Sequence, residues 1–275
     1  DTMVRFMRSK FTTVSFIFAL FLFIGCSTDR QAPGNTTAGS TGYGSQNSVV
    51  TKDTDWNRKT TINGSHWNIK ALDTARNVSY LSDVEKNIVL ELNKARANPS
   101  AYARVYLETR RQNYNGRLFR RPGQLDLRTK EGRPALEECI RVLGNSTALR
   151  PLRPANGLSR AASDHVKDTG LRGAIGHRGI DRSTIGTRVS RYGRWSGIIA
   201  ENISYGPSKA CEIVIQLLVD DGVSSRGHRE NILENQFAYV GVAVGPHKSF
   251  TTMCVMDFAA AYVDQKNKPI AGDEY

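Results

Sequence analysis

Four short segments of this chain carry side chains that could take part in chemistry. They are Gly176-His177-Arg178-Gly179, Ala200-Glu201-Asn202-Ile203, Asp220-Asp221-Gly222 and Arg226-Gly227-His228-Arg229-Glu230-Asn231-Ile232-Leu233. Two imidazoles and one or two carboxylates that converge in a cleft can bind a divalent cation such as Zn²⁺. They could also form a general acid–base pair, because histidine titrates near neutrality and a neighbouring carboxylate shifts its pKa.

The sequence places no nucleophile beside these residues. Ser224 and Ser225 lie near His228, but they lack a GxSxG setting, and the sequence contains no HExxH. A structural role is the alternative, in which His228 braces its turn and Glu201 hydrogen-bonds buried backbone. We therefore expect a binding cleft ahead of an enzyme, and we assign no catalytic residue.

Hydrophobic periodicity predicts the elements that hold these segments. Ser82-Asp83-Val84-Glu85 is a capping box that should begin an amphipathic helix, and Asn98-Pro99 should end or bend it. Two apolar runs near the C-terminus indicate a hairpin. Helices first and antiparallel strands last imply an α+β fold. The further predicted elements are a loop at 110–133, helices at 134–143, 157–171 and 208–219, and strands at 238–244 and 250–262.

The order of several motifs resembles the CAP superfamily of cysteine-rich secretory proteins, antigen 5 and plant pathogenesis-related proteins of group one. The resemblance runs from about Ser82 to Tyr262. It implies a three-layer α-β-α sandwich with a central antiparallel sheet. The motifs are Asn93-Lys-Ala-Arg96-Ala-Asn98-Pro99, the His177 loop, Glu201-Asn202-Ile203, Gly227-His228-Arg229-Glu230-Asn231 and the strand Val240-Gly-Val-Ala-Val.

The same resemblance implies a cleft with two histidines and two acids. His177, His228 and Glu201 match three of these positions, and the two histidines would be the ligands of a bound metal. The fourth member normally follows a tryptophan, which is absent here, so Asp220 and Asp221 are both candidates. Asn202 and Asn231 lie in the same motifs and are expected to line the cleft. His165 lies outside this group, and we expect it to be half-buried and structural.

The first residues resemble an export signal. Three cations precede the apolar run 11–24, which is too short to span a bilayer comfortably. Gly25-Cys26 resembles the lipobox of bacterial lipoproteins, in which cleavage leaves an acylated cysteine as the new N-terminus. An ordinary secretory signal is the alternative. We expect residues 1–25 to be the signal peptide and Cys26 to hold the exported protein on the cell envelope. Ser27 resembles the sorting pattern for an outer membrane, where the cell has one.

Composition divides the rest of the chain. Residues 26–80 should form a polar, largely disordered tether ending in an arm, in which Trp56, Trp67 and Ile69 pack back on the domain. Residues 82–263 should form the CAP domain, and 264–275 a polar tail. Cys139, Cys211 and Cys254 are odd in number, so at most one disulfide can join them. We expect all three to be buried free cysteines, because each has apolar or helical neighbours.

The net charge of +12 lies in one third of the chain. Between Arg104 and Arg194 there are 18 Arg and 2 Lys against 8 acidic residues, so 20 − 8 = +12, and the remainder is near neutral. Arginine favours fixed contacts to phosphate or carboxylate, although a solvated basic face is the alternative. Internal ion pairs at Arg178, Arg182 and Arg188 would argue against an anionic ligand. No glycine-aromatic pattern is present, so no nucleic acid partner is expected.

These features favour an extracytoplasmic protein that binds lipid, an anionic envelope polymer or a host ligand through the His/acid cleft. One alternative is a metal-assisted hydrolase acting on peptide, phosphodiester or wall polymer through the same residues. Another is a non-catalytic adhesion or virulence protein. Ligand identity and oligomeric state are not fixed by the sequence.

Overall fold

The computed structural model describes residues 67–120 and 126–265. The predicted signal peptide, Cys26, Trp56 and residues 266–275 lie outside the described residues. The helices are α1 (Ile69–Leu72), α2 (Asp83–Ala97), α3 (Pro99–Tyr102), α4 (Arg133–Asn145), α5 (Asn156–Thr169), α6 (Ile185–Ser190), α7 (Ala210–Val219) and α8 (Gly227–Ile232). The strands are β1 (Tyr114–Asn115), β2 (Leu118–Phe119), β3 (Leu127–Arg128), β4 (Arg153–Pro154), β5 (Gly193–Tyr205), β6 (Tyr239–His247) and β7 (Thr251–Asp264).

A four-stranded sheet forms the middle layer, in the order β4-β6-β7-β5. Strands β6 and β7 form the predicted hairpin, and β5 pairs antiparallel with β7 at one edge. The two-residue strand β4 pairs parallel with β6 at the other edge. The register places Glu201 of β5 opposite Asp257 of β7, so these two side chains share one face of the sheet.

Helices cover both faces of this sheet. Residues of α5 and α6 pack with Ile199 and Ala259 on one face. Residues of α2, α4 and α7 form the larger core with Val242 and Phe258 on the other. Helix α5 lies directly on β6, because a Cβ on Gly241 would stand 2.1 Å from the backbone of Leu158. The predicted α+β class and three-layer α-β-α sandwich are confirmed.

The predicted capping box begins α2. The Ser82 amide donates to Glu85 Oε2 at 2.8 Å, and both halves of the box are present. Asn98 ends this helix and begins α3, since its Oδ1 accepts the Ala101 amide at 3.1 Å. Helix α5 ends at Thr169, two residues before its predicted end, and residues 171–182 form an irregular loop instead.

Two regions differ from the predicted elements. The expected loop at 110–133 contains the end of a 3₁₀ helix (Glu108–Asn113), which follows a π-helical turn (Ala103–Leu107), and then the small antiparallel sheet β1-β2-β3. Strand β5 is also much longer than the strand-like stretch around Glu201. Its first half carries arginine and a bulge near Ser196, which hide the alternation of a half-buried strand.

Part of the N-terminal arm belongs to the folded body. Trp67 is 5% exposed, and its Nε1 donates to the Lys94 carbonyl at 2.9 Å. Its ring lies against Tyr102 and Tyr106, while Ile69 is partly buried on the same core. Trp67 and Ile69 therefore pack back on the domain as the arm prediction requires.

The cysteine prediction is also confirmed. Cys139, Cys211 and Cys254 are buried, and no disulfide joins them. Among the described residues, no helix combines the length and apolar character needed to cross a membrane.

Candidate functional site: two histidine–carboxylate pairs

The first half of the site is the pair His177–Glu201. Nδ1 of His177 lies 2.9 Å from Oε1 of Glu201. The histidine stands on the 171–182 loop with 57% of its side chain exposed, whereas the carboxylate on β5 is almost fully buried. The loop is fixed beneath it, because the Gly176 amide donates to the Tyr205 hydroxyl and the Gly176 carbonyl lies 2.9 Å from His165 Nε2. An exposed imidazole is thus held by a buried anion.

Arg188 completes this pair from inside the protein. Its buried guanidinium donates to Glu201 Oε2 and to the carbonyls of His177 and Ser183. Burial opposes the ionisation of Glu201, but the hydrogen bond from His177 and the charge of Arg188 hold its pKa below the ordinary value. Glu201 is therefore an anion at neutral pH, which favours the His177 tautomer that carries its proton on Nδ1.

The second half of the site is the pair His228–Asp220. Nδ1 of His228 lies 2.7 Å from Asp220 Oδ1, and the His228 amide donates to Asp220 Oδ2 at 3.0 Å. Asp220 is the left-handed residue that ends α7, with a φ of 54°. This conformation turns its buried carboxylate toward the start of α8, where His228 is the second residue.

The other acidic candidate has a different position. Asp221 accepts the backbone amides of Lys130, Glu131 and Gly132, at 2.6–2.9 Å, just before α4 begins. The Asp221 carboxylate therefore holds this loop in place, whereas the ring and the amide of His228 both hydrogen-bond to Asp220. Of the two candidates, Asp220 is the one that the structure brings to a histidine.

Two asparagines connect the halves. Asn202 Nδ2 donates to the His228 carbonyl at 2.9 Å, and Asn231 Nδ2 donates to Asn202 Oδ1 at 2.8 Å. Glu201 and Asn202 are neighbours on edge strand β5, so their side chains point to opposite faces of the sheet. The two histidine–carboxylate pairs consequently flank the same edge strand from opposite faces.

This arrangement leaves Nε2 of each imidazole turned away from its carboxylate. Such an atom accepts a hydrogen bond from a ligand, donates one when the ring is protonated, or ligates a metal, since metal-bound histidines commonly give their other ring nitrogen to a carboxylate. Within residues 67–120 and 126–265, however, no three His, Cys, Asp or Glu side chains are grouped so that they could hold a metal ion. Two imidazoles are fewer protein ligands than zinc sites usually have. Metal binding by His177 and His228 stays a prediction.

A buried polar group behind Glu201 was missed by sequence reasoning. Asp257 is fully buried, and burial, the charge of Glu201 and a hydrogen bond with Glu201 raise its pKa well above the ordinary value. His165 is fully buried rather than half-buried, and desolvation lowers its pKa. Arg188 was named only for its charge. The alternation of β7 places Asp257 on a buried face, and this pattern was the sequence signal from which its burial could have been predicted.

Internal ion pairs at Arg178, Arg182 and Arg188 would argue against an anionic ligand, and the structure shows such a pair at one of the three. Arg188 is buried in the ion pair with Glu201. Arg178 and Arg182 are exposed, and neither side chain has an ion-pair partner within the described part of the chain. One of the three is therefore excluded from ligand contact, and two are available.

The chain belongs to the cysteine-rich secretory protein family, known as CAP, because the model of that family matches residues 91–258. No curated protein matches the chain significantly. Two solved structures resemble it in part. An outer surface protein of Borrelia burgdorferi is 18% identical over 40% of this chain and 78% of its own, with a TM-score of 0.35. An extracellular SCP-domain protein of Bacillus anthracis is 24% identical over 45% of this chain and 37% of its own, with a TM-score of 0.32.

Proposed function

We propose that this protein is exported and lipid-anchored, and that its cleft binds a lipid or another cell-envelope or host ligand. The observation that carries the proposal is the pair of imidazoles, each oriented by a buried carboxylate. In the tautomer that carries its proton on Nδ1, each ring has an Nε2 atom that accepts a hydrogen bond from a hydroxyl group of a sugar, sterol or lipid headgroup. A site built on fixed side chains binds without a large ordering cost.

Binding is favoured over catalysis by what surrounds the two rings. Within the described residues, no serine, threonine or cysteine side chain is hydrogen-bonded to His177 or His228. The cysteines of this part of the chain are buried. Covalent catalysis needs a nucleophile within reach of its base. The surroundings of the two imidazoles in the described part of the chain therefore favour recognition over covalent catalysis.

The cleft is tested by following the ring signals of His177 and His228 by NMR during titration. The probes are glycerol phosphate, a soluble sterol sulfate and a purified disaccharide–peptide wall fragment. We expect one of them to shift both rings and to bind at least about tenfold more weakly to His177→Ala/His228→Ala, the loss of one or two hydrogen bonds. Unchanged affinity in the double variant would instead support the adhesion alternative. Arg104→Ala, at an exposed helical site remote in sequence, is the control.

Export and anchoring rest on residues 1–26, and they have their own test. Cells grown with a labelled fatty acid should incorporate the label into the wild-type chain and leave Cys26→Ala unlabelled. The wild-type chain should sediment with membranes. A labelled Cys26→Ala chain would contradict the lipid anchor, and an unlabelled wild-type chain found outside the cell would favour the ordinary secretory signal.

The metal-assisted hydrolase is the second candidate, because both Nδ1 atoms are held by carboxylates and both Nε2 atoms remain available to a metal. Elemental analysis and calorimetric zinc titration of the wild-type chain beside His228→Ala decide it. A saturable heat that disappears in His228→Ala would support a metal site. No bound metal and no heat in either protein would remove this candidate.

A further inference from the structure

The loop that carries His177 exposes an unusual amount of aliphatic surface. Leu171, Ile175 and Ile180 are 69%, 57% and 45% exposed. The other large hydrophobic side chains that are exposed in the described residues are Tyr80 and Val263. Three of five thus lie within ten residues of one another. A cluster of exposed aliphatic side chains marks an interaction surface more often than scattered ones do.

The exposure is built into the backbone of this loop. The Ile180 amide donates to the Asp168 carboxylate at 2.5 Å, and the Ala174 carbonyl lies 3.1 Å from His247 Nε2. Gly176 is held from both its amide and its carbonyl by Tyr205 and His165. Because polar side chains beneath the loop satisfy its backbone, the aliphatic side chains have no inward position to occupy. The loop presents them to whatever lies outside.

Basic residues alternate with these side chains. Arg172, Arg178 and Arg182 belong to the loop and all three are exposed, although Arg172 pairs with Asp168 at 3.1 Å. Lys248 lies beside it on the β6–β7 turn, since its amide donates to the Gly170 carbonyl and its side chain is next to Gly173. The acidic residue of the loop, Asp181, is paired with Arg191. The surface is therefore apolar and positively charged.

We propose that the 171–182 loop and Lys248 form a docking surface for the anionic face of a lipid bilayer. Aliphatic side chains enter the boundary of the acyl chains, and arginine and lysine contact the lipid phosphates, the combination that holds peripheral proteins at interfaces. A predicted tether of 41 residues from Cys26 to Trp67 would give the domain an r.m.s. distance of roughly 35 Å from the same bilayer. The tether argument rests on the lipid anchor of the proposed function, whereas the docking surface does not require the cleft to be occupied.

The test uses the full chain on vesicles, with an environment-sensitive fluorophore on Ile175→Cys. Val263→Cys is the matched control, because it is an equally exposed aliphatic position at the other end of β7, roughly 40 Å from the hairpin turn. The native cysteines of the described part are buried and should remain unlabelled. Vesicles contain phosphatidylcholine alone or mixed with phosphatidylglycerol, and a second set carries brominated acyl chains.

On the anionic vesicles we expect the fluorescence emission of the label at 175 to shift to shorter wavelength and to be quenched by the brominated lipid. The emission of the label at 263 should remain that of a fluorophore in water. Removing two phosphate contacts in Arg178→Ala/Arg182→Ala should weaken the docked state by roughly 25-fold. Leu171→Ser/Ile180→Ser should also reduce the quenching. The His228→Ala variant, whose changed residue lies on α8 outside the loop, should dock as well as the wild type.

Four outcomes in the labelled chains would overturn the proposal. They are an aqueous label at 175, equal quenching at 175 and 263, docking that ignores the anionic lipid, and a blue shift at 175 without quenching, which would indicate contact with another copy of the chain. A fifth is loss of docking in His228→Ala, which would place the lipid in the cleft and so support the proposed function while overturning the docking surface. Docking retained while the cleft binds none of its probes would support the surface alone.

Discussion

At the residue scale, neighbouring acids at the end of α7 have different tasks. Asp220 faces His228, whereas Asp221 accepts three backbone amides before α4. Sequence cannot separate them, because both follow the same apolar helix. The left-handed turn at Asp220 decides which carboxylate reaches the cleft. Asparagine tolerates this conformation, so Asp220→Asn changes the charge without straining the turn.

Asp220→Asn should release the His228 ring from a single tautomer, because the carboxylate that favours a proton on Nδ1 is gone. The measurement is the pair of ring ¹⁵N shifts of His228. Asp221→Ala should leave those shifts unchanged and lower the free energy of unfolding by about 1–2 kcal/mol, through loss of the amide acceptor. A tautomer change in Asp221→Ala, or none in Asp220→Asn, would reverse these assignments.

Asp257 should make the domain less stable as pH rises. Its folded pKa is raised by burial and then by the charge of Glu201, so the folded state retains a proton that the unfolded state loses above about pH 4. The contribution of Asp257 to the free energy of unfolding is therefore full below about pH 4, and it is lost as the pH rises toward the folded pKa of this group. Glu201, whose folded pKa is lowered, contributes in the opposite sense and loses its contribution as pH falls.

Replacing Asp257 by asparagine removes the group that must stay protonated. We expect Asp257→Asn to raise the free energy of unfolding at pH 7 by on the order of 1 kcal/mol relative to wild type, and to change it less at pH 4. Urea unfolding at both pH values measures this. Asp126→Asn, at an exposed position, should change neither value. Equal pH dependence in the wild type and Asp257→Asn would contradict the expectation.

At the element scale, α2 positions the second half of the cleft through one buried residue. The Arg96 guanidinium donates to the carbonyls of Arg150, Ile232, Glu234 and Phe237. Burial and then the nearby charge of Arg150 lower its pKa to about 10, which leaves it charged at neutral pH. Arg96 thereby fixes the chain that follows α8, the helix that carries His228.

Arg96→Lys should therefore behave as a severe change. Lysine cannot span four carbonyls with a compact ammonium, so buried acceptors lose their donors. We expect the free energy of unfolding to fall by about 3 kcal/mol in urea titrations, with broadened NMR signals from His228. In Arg104→Lys, on an exposed helical face, the free energy of unfolding should fall by less than about 0.5 kcal/mol. A mild Arg96→Lys would mean that these carbonyls accept water instead.

The elements that sequence predicted are those with a long regular pattern. Helices α2, α4, α5 and α7 and the β6–β7 hairpin have several turns or alternations, so their apolar residues identify a buried face. The helices α6 and α8 have six residues each, which is too few to show a period. Strands β1–β4 have two residues each, which is too few to show an alternation, and β4 is defined by β6, a partner distant in sequence.

The candidate site shows the same division. His177, Glu201 and His228 could be selected because their motifs recur in a family with a known chain order. Arg188 could not, since its ion pair with Glu201 is a tertiary contact that no local pattern records. For Asp257 the alternation of β7 predicts burial, but not the neighbouring Glu201 that raises its pKa.

At the scale of the whole molecule, part of the basic charge is neutralised by ion pairs, some of them buried and some at the surface. Arg110 pairs with Glu212, Arg188 with Glu201, and Arg191 with Asp164 and Asp181. The charge of +12 therefore overstates what an anionic partner meets. Arg178 and Arg182 remain exposed beside the aliphatic side chains of the 171–182 loop, where apolar and electrostatic attraction act at one surface.

The cysteines report on the integrity of the whole domain. Burial raises the pKa of Cys139 to about 12 and raises that of Cys254 further, so neither forms the reactive thiolate at neutral pH. A disulfide reagent added to Cys26→Ser should modify the three remaining thiols at least about a thousandfold more slowly in buffer than in urea, since access requires unfolding that costs about 5 kcal/mol or more. A thiol that reacts at once in buffer would show that its part of the core opens locally. A mass two hydrogens lower would show a disulfide. Full protection, with three thiols released together in urea, means that helices α4 and α7 and strand β7 unfold as one cooperative unit.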